Sequence, residues 1–220
     1  MNPLPTPDPV VGPDPDVGPD PDVVLAGVDA RLAAHDAEQA ELFPGPPTGR
    51  QPVHTLYLPA DRVHAGIVSE VGAVEPVEDL RIDFEDGFTQ RDVPPGRRDR
   101  DEDGHVDRVL AEVITRWSGR SSSPPFWGVR FGSLDPATRR RGVLTFTRVV
   151  AGLAAAPDRD ALLAGFRPTL PKVTSVDQVR AMVGICRDLE AACSLPERAL
   201  RFEIQIETPQ SICAPDGSAL

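Results

Sequence analysis

Lysine is almost absent from this chain of 220 residues. The chain has 23 lysine and arginine residues, of which only Lys172 is a lysine. The three cysteines form no CxxC pair and leave an odd number, which argues against a disulfide framework and favours a reducing compartment. No run of about 18 apolar residues and no basic-then-apolar leader pattern is present, so we expect no membrane partner and a cytoplasmic location. His35, His64 and His105 show no spacing typical of metal ligands.

Acidic residues outnumber basic ones and are unevenly distributed. The formal net charge is -11, and six aspartates fall within residues 1–30, which hold neither Lys nor Arg, so residues 31–220 carry only -5. A chain of this sign has no electrostatic footprint for nucleic acid, which is therefore not expected as a partner. The remaining charge is typical of a solvated acidic surface.

The proline content is high, at 25 residues, and it separates the N-terminus from the rest of the chain. Residues 1–23 repeat Gly-Pro-Asp-Pro-Asp-Val with prolines that block helix and sheet pairing, which predicts a disordered arm. Residues 24–49 are predicted to form a helix and a linker. The apolar residues of that helix form one loose face: Leu25, Val28, Leu32 and Leu42. Residues 50–220 are expected to form one domain with a substantial core.

Five short apolar segments are predicted to be β-strands, because each is bounded by proline, glycine or charged residues. They are Val53–Leu58, Leu80–Phe84, Phe126–Phe131, Phe166–Leu170 and a strand within Arg201–Gln210 that Pro209 closes. A helix is predicted between each pair of strands. The first is a helix of about three turns from Ala60.

The other predicted helices are recognised by their apolar stripes. One stripe has helical spacing throughout: Val106, Val109, Leu110, Val113, Ile114 and Trp117. A helix from about Arg141 to Ala156 follows, with a second set facing inward: Val143, Phe146, Val150 and Leu153. Ser175 and Gln178 predict a capping box for the last helix. Its stripe is Val176, Val179, Met182, Val183 and Cys186.

Regular alternation of strands and helices predicts an α/β fold with a parallel sheet. No glycine-rich phosphate loop follows the first strand, which disfavours a doubly wound sheet and favours a TIM-type (β/α) barrel. Such a barrel usually needs eight units, and this sequence contains about five, so we predict a partial barrel. The open edges of its first and fifth strands predict a homo-oligomer or a complementing C-terminal half as partner.

Charged residues stand where each predicted strand ends, at the edge of a parallel sheet where catalytic residues usually lie. They are Glu85, Asp86, Arg130, Lys172 and Glu207. The three carboxylates suit a hard divalent cation, Mg²⁺ or Mn²⁺. An arginine facing such an ion would neutralise the negative charge of an enolate or a carboxylate.

Four segments resemble, in order, the motifs of the citrate lyase β-subunit and HpcH/HpaI aldolase family, in the phosphoenolpyruvate/pyruvate-binding barrel superfamily. They are Ile82–Gly87, Gly128–Arg130, Leu170–Val173 and Ile206–Pro209, which together span roughly residues 50–210. The resemblance implies a Mg²⁺-dependent carbon–carbon lyase or aldolase that acts through a metal-stabilised enolate of a 2-keto acid or an acyl-CoA thioester.

The resemblance also implies a role for each residue. Glu207 would bind the metal, and Arg130 would hold a carbonyl or carboxylate oxygen of the substrate. Glu85 or Asp86 would lie behind the reacting groups or assist proton transfer, and Lys172 would contact substrate.

Two departures from the family pattern bear on activity. The second metal carboxylate of the family lies on the next strand, farther along than the thirteen residues that follow Glu207, and the asparagine usual near the third-strand arginine is replaced by Phe131-Gly132. We therefore expect a truncated site or half of a split enzyme. The alternative is a non-catalytic fragment or interaction module derived from the same fold.

Structural interpretations of the same residues remain open. Glu85 and Asp86 could simply cap the next segment, and Arg130 could be their ion-pair partner. Lys172 could form a Schiff base, although a surface ion pair is the more common role of such a lysine. His54 is expected to be a core histidine. Arg139–Arg141 could meet the phosphates of coenzyme A or could be a solvated helix start.

Overall fold

The structure is a computed structural model that describes residues 20–45, 51–64, 77–90, 92–117, 126–214 and 216–218. The chain divides at Gln51 into two units, Met1–Gln51 and Pro52–Leu220. Residues 1–19 of the predicted disordered arm and residues 46–50 of the predicted linker lie outside the described residues. None of the helices in the described ranges combines the length and hydrophobicity needed to cross a lipid bilayer.

The first unit contains helix α1, Pro21–Leu42, which begins before the predicted start at Val24. Asp20 caps the helix by accepting a hydrogen bond from the amide of Asp22 at 3.0 Å. Pro21 occupies the first helical turn, where its missing N–H is not needed. The predicted arm therefore extends too far. No residue of α1 is buried, so its loose apolar face is exposed to solvent.

The second unit is built on one five-stranded parallel sheet in the order β1-β2-β3-β4-β5. The strands are β1 (Thr55–Pro59), β2 (Asp79–Asp83), β3 (Phe126–Arg130), β4 (Thr169–Leu170) and β5 (Glu203–Ile204). Each strand pairs with its successor in the chain. This singly wound order is that of a partial (β/α) barrel, which confirms the predicted fold class.

Strand register aligns the C-terminal ends of the first four strands. Pro59 is opposite Asp83, Asp83 is opposite Arg130, and Arg130 is opposite Thr169. Leu170, the next residue of β4, is opposite Ile204. Side chains that follow these positions are therefore brought to one rim of the sheet.

In the described part of this unit, four helices accompany the sheet: α2 (Arg98–Trp117), α3 (Arg139–Ala154), α4 (Arg159–Ala164) and α5 (Val176–Ala192). Leu80 and Ile82 of β2 lie in the core with Val106 of α2 and Phe146 of α3. Because side chains alternate along a strand, Asp79, Arg81 and Asp83 of β2 face the opposite side, the inside of the partial barrel. The predicted positions of α2 and α3 are confirmed. The short helix α4, of six residues, was not predicted.

The predicted helix from Ala60 is not observed at that position. Ala60–Arg62 forms a short 3₁₀ turn, after which Val63 is extended with φ -72° and ψ 120°. Ala60 and Val63 are both almost fully buried, so this tight turn places two apolar side chains in the core. The rest of the predicted helix, residues 65–76, lies outside the described residues.

The last two strands are shorter than predicted because proline interrupts the ladder. Phe166 makes only an isolated bridge with Trp127, and β4 begins at Thr169. Pro168 faces β5, where its carbonyl accepts from the Glu203 amide at 3.0 Å, and because it has no N–H it cannot extend the ladder before Glu203. In the predicted strand within Arg201–Gln210, the ladder with β4 covers only Glu203–Ile204. Single hydrogen bonds continue the contact, for example from the Gln205 amide to the Leu170 carbonyl at 3.0 Å.

Two details of α5 also differ from prediction. Ser175 is the N-cap residue but makes no side-chain capping bond; the Gln178 side chain instead accepts from the Thr174 amide at 2.8 Å. Val176 and Val183, which were predicted to face the core, are exposed. The buried face of α5 runs through Met182, Cys186 and Leu189, so the apolar stripe is rotated relative to the prediction.

Candidate functional site

Six charged residues from four strand ends form one connected group, which we call the rim cluster. Its members are Asp83, Glu85, Asp86, Arg130, Lys172 and Glu207. The first three follow or end β2, Arg130 ends β3, Lys172 follows β4 and Glu207 follows β5. The structure thus brings together all five residues that the sequence predicted and adds Asp83.

Lys172 joins the ends of β2 and β4. Its ammonium nitrogen contacts Oε1 of Glu85 and lies 2.7 Å from Oδ1 of Asp86. Burial alone would lower the pKa of Lys172, but the hydrogen bonds to Asp86 and Glu85 outweigh it and raise the pKa. The lysine is therefore a fixed positive charge.

The two carboxylates that hold Lys172 differ in their own titration. Burial raises the pKa of Glu85, although the hydrogen bond from Lys172 acts in the opposite direction. The hydrogen bond from Lys172 lowers the pKa of the more exposed Asp86. Glu85 is thus the carboxylate of the pair that takes up a proton more readily.

Arg130 is fixed by three groups. Its Nε and Nη2 atoms donate to the two carboxylate oxygens of Asp83 at 2.9 and 2.6 Å. Its guanidinium carbon lies 4.8 Å from the ring centroid of Tyr57, a cation–π contact. Oε2 of Glu85 lies 4.0 Å from Nε. The hydrogen bonds to Asp83 raise the pKa of Arg130 further above its usual value.

Asp83 is the central residue that sequence reasoning missed. Besides Arg130, it accepts hydrogen bonds from the amides of Glu85 at 2.9 Å and Gly87 at 2.8 Å, so it also shapes the loop that carries Glu85 and Asp86. Its side chain is 3% exposed. The sequence did contain a signal for this role. Asp83 stands at the end of an apolar strand, two residues before Glu85 and four before Gly87, and an aspartate in such a position is typical of an Asx-type turn.

Glu207 contacts the main chain of Lys172 rather than its side chain. Oε1 of Glu207 accepts a hydrogen bond from the Lys172 amide at 2.9 Å. Lys172 has a φ of +51°, in the left-handed region that residues with a Cβ rarely occupy. Glu207 therefore holds the backbone from which the Lys172 side chain reaches Glu85 and Asp86.

A second polar group, the inner layer, lies deeper inside the partial barrel and consists of Tyr57, Asp79, Arg81, Thr169 and Glu203. Arg81 donates to Asp79 from Nε at 2.8 Å and contacts Glu203 from Nη2 at 3.0 Å. Thr169 donates to Glu203 at 2.6 Å. Because each charge has a partner, Asp79 and Arg81 are tolerated at 2% exposure.

Gly128 makes room for the inner layer. A Cβ at this position would clash with the carbonyl group of Arg167 and would lie 3.1 Å from Nη1 of Arg81. The Arg167 carbonyl oxygen itself accepts a hydrogen bond from Arg81. The glycine of the predicted Gly128-Val129-Arg130 motif is thus explained by a close approach of the backbone to a buried guanidinium.

Tyr57 connects the two layers. It is the only tyrosine in the chain. Burial raises its pKa, and the charge of Glu203 adds to this effect. Its phenol is therefore a neutral hydroxyl at physiological pH, beside Thr169 below and Arg130 above. No sequence motif marks this residue, since its partners come from three other strands.

The other residues weighed in the sequence lie elsewhere. His54 is partly buried just before β1, at the end of the sheet opposite the rim. Arg140 and Arg141 form ion pairs with Asp99 and Asp103 of α2 at 3.4 and 2.8 Å. Their contacts correspond to the structural interpretation of the Arg139–Arg141 run.

No set of three or more His, Cys, Asp or Glu side chains in the described ranges is placed to hold a metal ion. Glu207, the predicted metal residue, has a carboxylate whose only described contact is with the Lys172 amide. It offers one anionic ligand at an exposed position.

The fold of the chain is similar to part of the malate synthase and citrate lyase structures. The magnesium/glyoxylate complex of Haloferax volcanii malate synthase matches with a TM-score of 0.56 and 14% identity, over 76% of this chain and 45% of that one. Its lead(II) complex matches with a TM-score of 0.55 and 16% identity, over 75% and 44%. A citrate lyase from Burkholderia xenovorans LB400 matches with a TM-score of 0.51 and 20% identity, over 74% and 43%.

The chain belongs to the family described as Domain of unknown function (DUF6986), whose model matches residues 32–75 and 73–220. No curated protein matches the sequence significantly. The chain spans less than half the length of the malate synthase and citrate lyase structures. The predicted resemblance therefore holds for the fold, and the narrower HpcH/HpaI aldolase assignment stays a prediction.

Proposed function

We propose that this chain carries the active site, or half of it, of a carbon–carbon lyase or aldolase that acts through the enolate of a 2-keto acid or an acyl-CoA thioester. The observation that carries the proposal is the rim cluster, in which charged side chains from four successive strand ends touch one another. In parallel (β/α) folds this rim is where catalytic residues lie. The citrate lyase and malate synthase folds of the structural neighbours support the same class.

Arg130 is the proposed substrate-binding residue. Asp83 holds two of its nitrogens and the Tyr57 ring covers its face, which leaves Nη1 without a partner among the described residues. A guanidinium held in this way needs little reorganisation to receive a carbonyl or carboxylate oxygen. In our proposal Nη1 stabilises the negative charge that develops on that oxygen.

Glu85 and Asp86 are the proposed proton-transfer groups, with Lys172 as their charge partner. The raised pKa of Glu85 brings this carboxyl closer to the range in which acid–base catalysis near neutral pH is efficient. Lys172 keeps Asp86 ionised and contributes a positive charge for an anionic substrate. Both carboxylates contact the Lys172 ammonium group, whose positive charge stabilises Glu85 when this carboxyl loses its proton.

The charge of the rim cluster favours a divalent cation. Four carboxylates face two cationic side chains, so an anionic 2-keto acid would meet a net negative site. Mg²⁺ takes one or two protein carboxylates and completes its shell with waters and substrate oxygens, and Glu207 supplies one such carboxylate. We propose Glu207 as the residue that would hold Mg²⁺ or Mn²⁺, which would supply Lewis-acid polarisation of the substrate carbonyl.

Solvent exchange of substrate protons tests the proposal without requiring the full reaction. With MgCl₂, the chain should incorporate deuterium into the methyl groups of pyruvate or acetyl-CoA, followed by proton NMR. Glu207→Gln should slow the exchange by at least about tenfold. Asp188→Asn, on the exposed face of α5, should leave it unchanged. Absence of exchange over a panel of 2-keto acids and acyl-CoA esters, with either metal, would refute the catalytic proposal.

A second candidate function, a non-catalytic interaction module, is favoured by the last strand. β5 is the terminal strand of the described sheet, and its neighbouring apolar side chains Ile204 and Ile206 are 40% and 53% exposed. An uncovered edge strand with apolar residues is a site for strand addition. Sedimentation of the chain, compared with Ile206→Lys, tests this candidate: self-association that the substitution abolishes supports it, and a monomer at all concentrations contradicts it.

A further inference from the structure

A polar cavity of about 540 Å³ lies at the start of α2 and shares no lining residue with the rim cluster. The loop residues Asp92–Pro94 form one wall and one face of α2 forms the other. This wall is lined by Arg97, in the 3₁₀ turn just before α2, and by four residues of α2: Arg100, Asp101, Gly104 and Arg108. This volume is in the range of small-molecule binding sites.

The arginines share this wall because of their spacing. Arg100, Gly104 and Arg108 are four residues apart, which places them on one side of α2, and Arg97 in the preceding turn lines the same cavity. Three guanidinium groups therefore face the same space in a protein whose net charge is -11. The sequence alone does not separate them from the other charges of residues 89–103.

The helix segregates its charges between two faces. Asp103 and Asp107 lie toward α3, where they pair with Arg141 at 2.8 Å and Arg148 at 2.7 Å. On the cavity side, no ion pair with a carboxylate joins Arg97 or Arg100 to any residue in the described ranges. Arg108, on the same side, has Nη1 2.9 Å from Nδ1 of His105. Arg97 and Arg100 therefore have donors that no carboxylate in the described ranges takes up.

The remaining charged groups at the cavity leave it positive. Asp101 is directed toward His105, whose Nε2 lies 3.6 Å from Oδ2, and toward Gln90. Burial and the neighbouring Arg108 lower the pKa of His105, so this ring adds no charge at neutral pH. Asp92 and Asp101 together balance two of the three arginines.

Gly104 leaves space between Arg100 and Arg108. It lines the cavity, and a Cβ added to it meets no atom within 4 Å. A large side chain at this position would therefore occupy space that the glycine leaves free.

We infer that this cavity binds a phosphate group, either as inorganic phosphate or pyrophosphate or as the phosphate ester of a small molecule. Three planar guanidinium forks match the several oxygens of a phosphate dianion better than the two oxygens of one carboxylate. Gly104 leaves the space that such a group needs. The site is independent of the proposed lyase chemistry, because it shares no residue with the rim cluster.

Direct titration at low ionic strength tests the inference, since exposed charge pairs are weakened by salt. Isothermal calorimetry with inorganic phosphate, pyrophosphate, adenosine 3′,5′-bisphosphate and citrate should show a dissociation constant below about 1 mM for at least one phosphate compound and weaker binding of citrate. Tighter binding of the nucleotide than of pyrophosphate would identify a phosphate ester as the ligand, and the reverse order a free phosphate. Equal or tighter binding of citrate would overturn the assignment to phosphate.

Two variants locate the binding in the cavity. Arg97→Gln/Arg100→Gln should weaken phosphate binding at least tenfold by removing charge, and Gly104→Leu should do so by filling the space while preserving the helix. Arg180→Gln, an exposed arginine paired with Asp177, and Gly184→Ala, a glycine of α5 that is not among the residues lining this cavity, are the matched controls. Circular dichroism confirms that each variant is folded. Phosphate affinity that survives either cavity variant, or falls equally in the controls, would overturn the inference.

Discussion

The main-chain amide of Lys172 donates a hydrogen bond to Oε1 of Glu207 across 2.9 Å, and this lysine has a φ of +51°. A positive φ in a residue with a Cβ persists only where surrounding contacts hold it. Glu207 holds the backbone, and Glu85 and Asp86 hold the ammonium group at the other end of the same residue. One lysine therefore ties the end of β4 to the ends of β2 and β5.

The first prediction tests the hydrogen bond between Glu207 and the Lys172 amide. Glu207→Ala should lower the free energy of unfolding by about 1 kcal/mol, because the Lys172 amide loses its acceptor. Glu207→Gln should lower it less, because an amide oxygen still accepts the bond. Urea denaturation of both variants measures the difference, with Glu197→Ala on the exposed turn before β5 as the control. Equal losses for the two Glu207 variants would show that the hydrogen bond contributes nothing.

The second prediction concerns Arg130 and Asp83. Arg130→Met should destabilise the protein by about 3 kcal/mol, because it leaves the buried Asp83 carboxylate without its cation. Two backbone amides still bind Asp83, which keeps the loss at the lower end of the range for broken buried pairs. Adding Asp83→Asn should recover part of the loss, and a double-mutant cycle in urea measures the coupling. Strict additivity of the two substitutions would contradict a direct pair.

The third prediction uses Tyr57 as a pH probe. Its pKa is raised above the ordinary 10.0, first by burial and then by Glu203. Because the native state keeps the phenolic proton longer than the unfolded state, its contribution to stability is complete below pH 10 and is lost as the pH rises through the native pKa. Since the chain has one tyrosine, the tyrosinate absorbance band follows this group alone.

Glu203→Gln is the matching variant for Tyr57. It should lower the Tyr57 pKa while leaving it above the ordinary value, because the burial remains. Tyr57→Phe should abolish the titration. A midpoint at or below 10 in the unmodified protein would contradict the buried position of the phenol.

The fourth prediction lies between α2 and α3. Glu102 is buried, accepts a hydrogen bond from Thr145 and has Nε of Arg141 at 3.4 Å. Burial nevertheless raises its pKa. The stabilising protonated form is present in full below the unfolded pKa and is lost as the pH rises through the native pKa, so ionised Glu102 weakens the fold at neutral pH.

Glu102→Gln should therefore stabilise the protein at pH 7 relative to its effect at pH 4, where the native glutamate is already protonated. Denaturation with urea at the two pH values measures this difference. If Glu102→Gln lowered the free energy of unfolding more at pH 7 than at pH 4, the attraction of Arg141 for ionised Glu102 would outweigh the cost of burying that charge.

The sequence was most informative where the local pattern alone decides the structure. The alternation of β2 and the long stripe of α2 are properties of neighbouring residues, and both elements lie where predicted. The rim residues followed from the same logic, because parallel strands in order must bring their C-terminal ends together. As a result, one cluster contains Glu85, Asp86, Arg130, Lys172 and Glu207.

Prediction failed where contacts between distant residues decide the structure. Tyr57 and Asp83 acquire their importance from strands that lie far apart in the chain. The tight turn at Ala60 depends on which side chains the core accepts, and the short ladder between β4 and β5 depends on Pro168. Val176 was assigned to the core because its spacing allowed it, but the position of α5 on the sheet turns this residue to solvent.

The single lysine of the chain makes its ammonium group individually addressable. Reductive methylation with ¹³C-formaldehyde places a label on one side-chain amine, which reports on the rim cluster without further engineering. Because Glu85 and Asp86 hold that amine protonated, its reaction rate should be low in the folded protein and should rise when a competing cation displaces it. Labelling kinetics thus give a direct measure of ion occupancy at the rim.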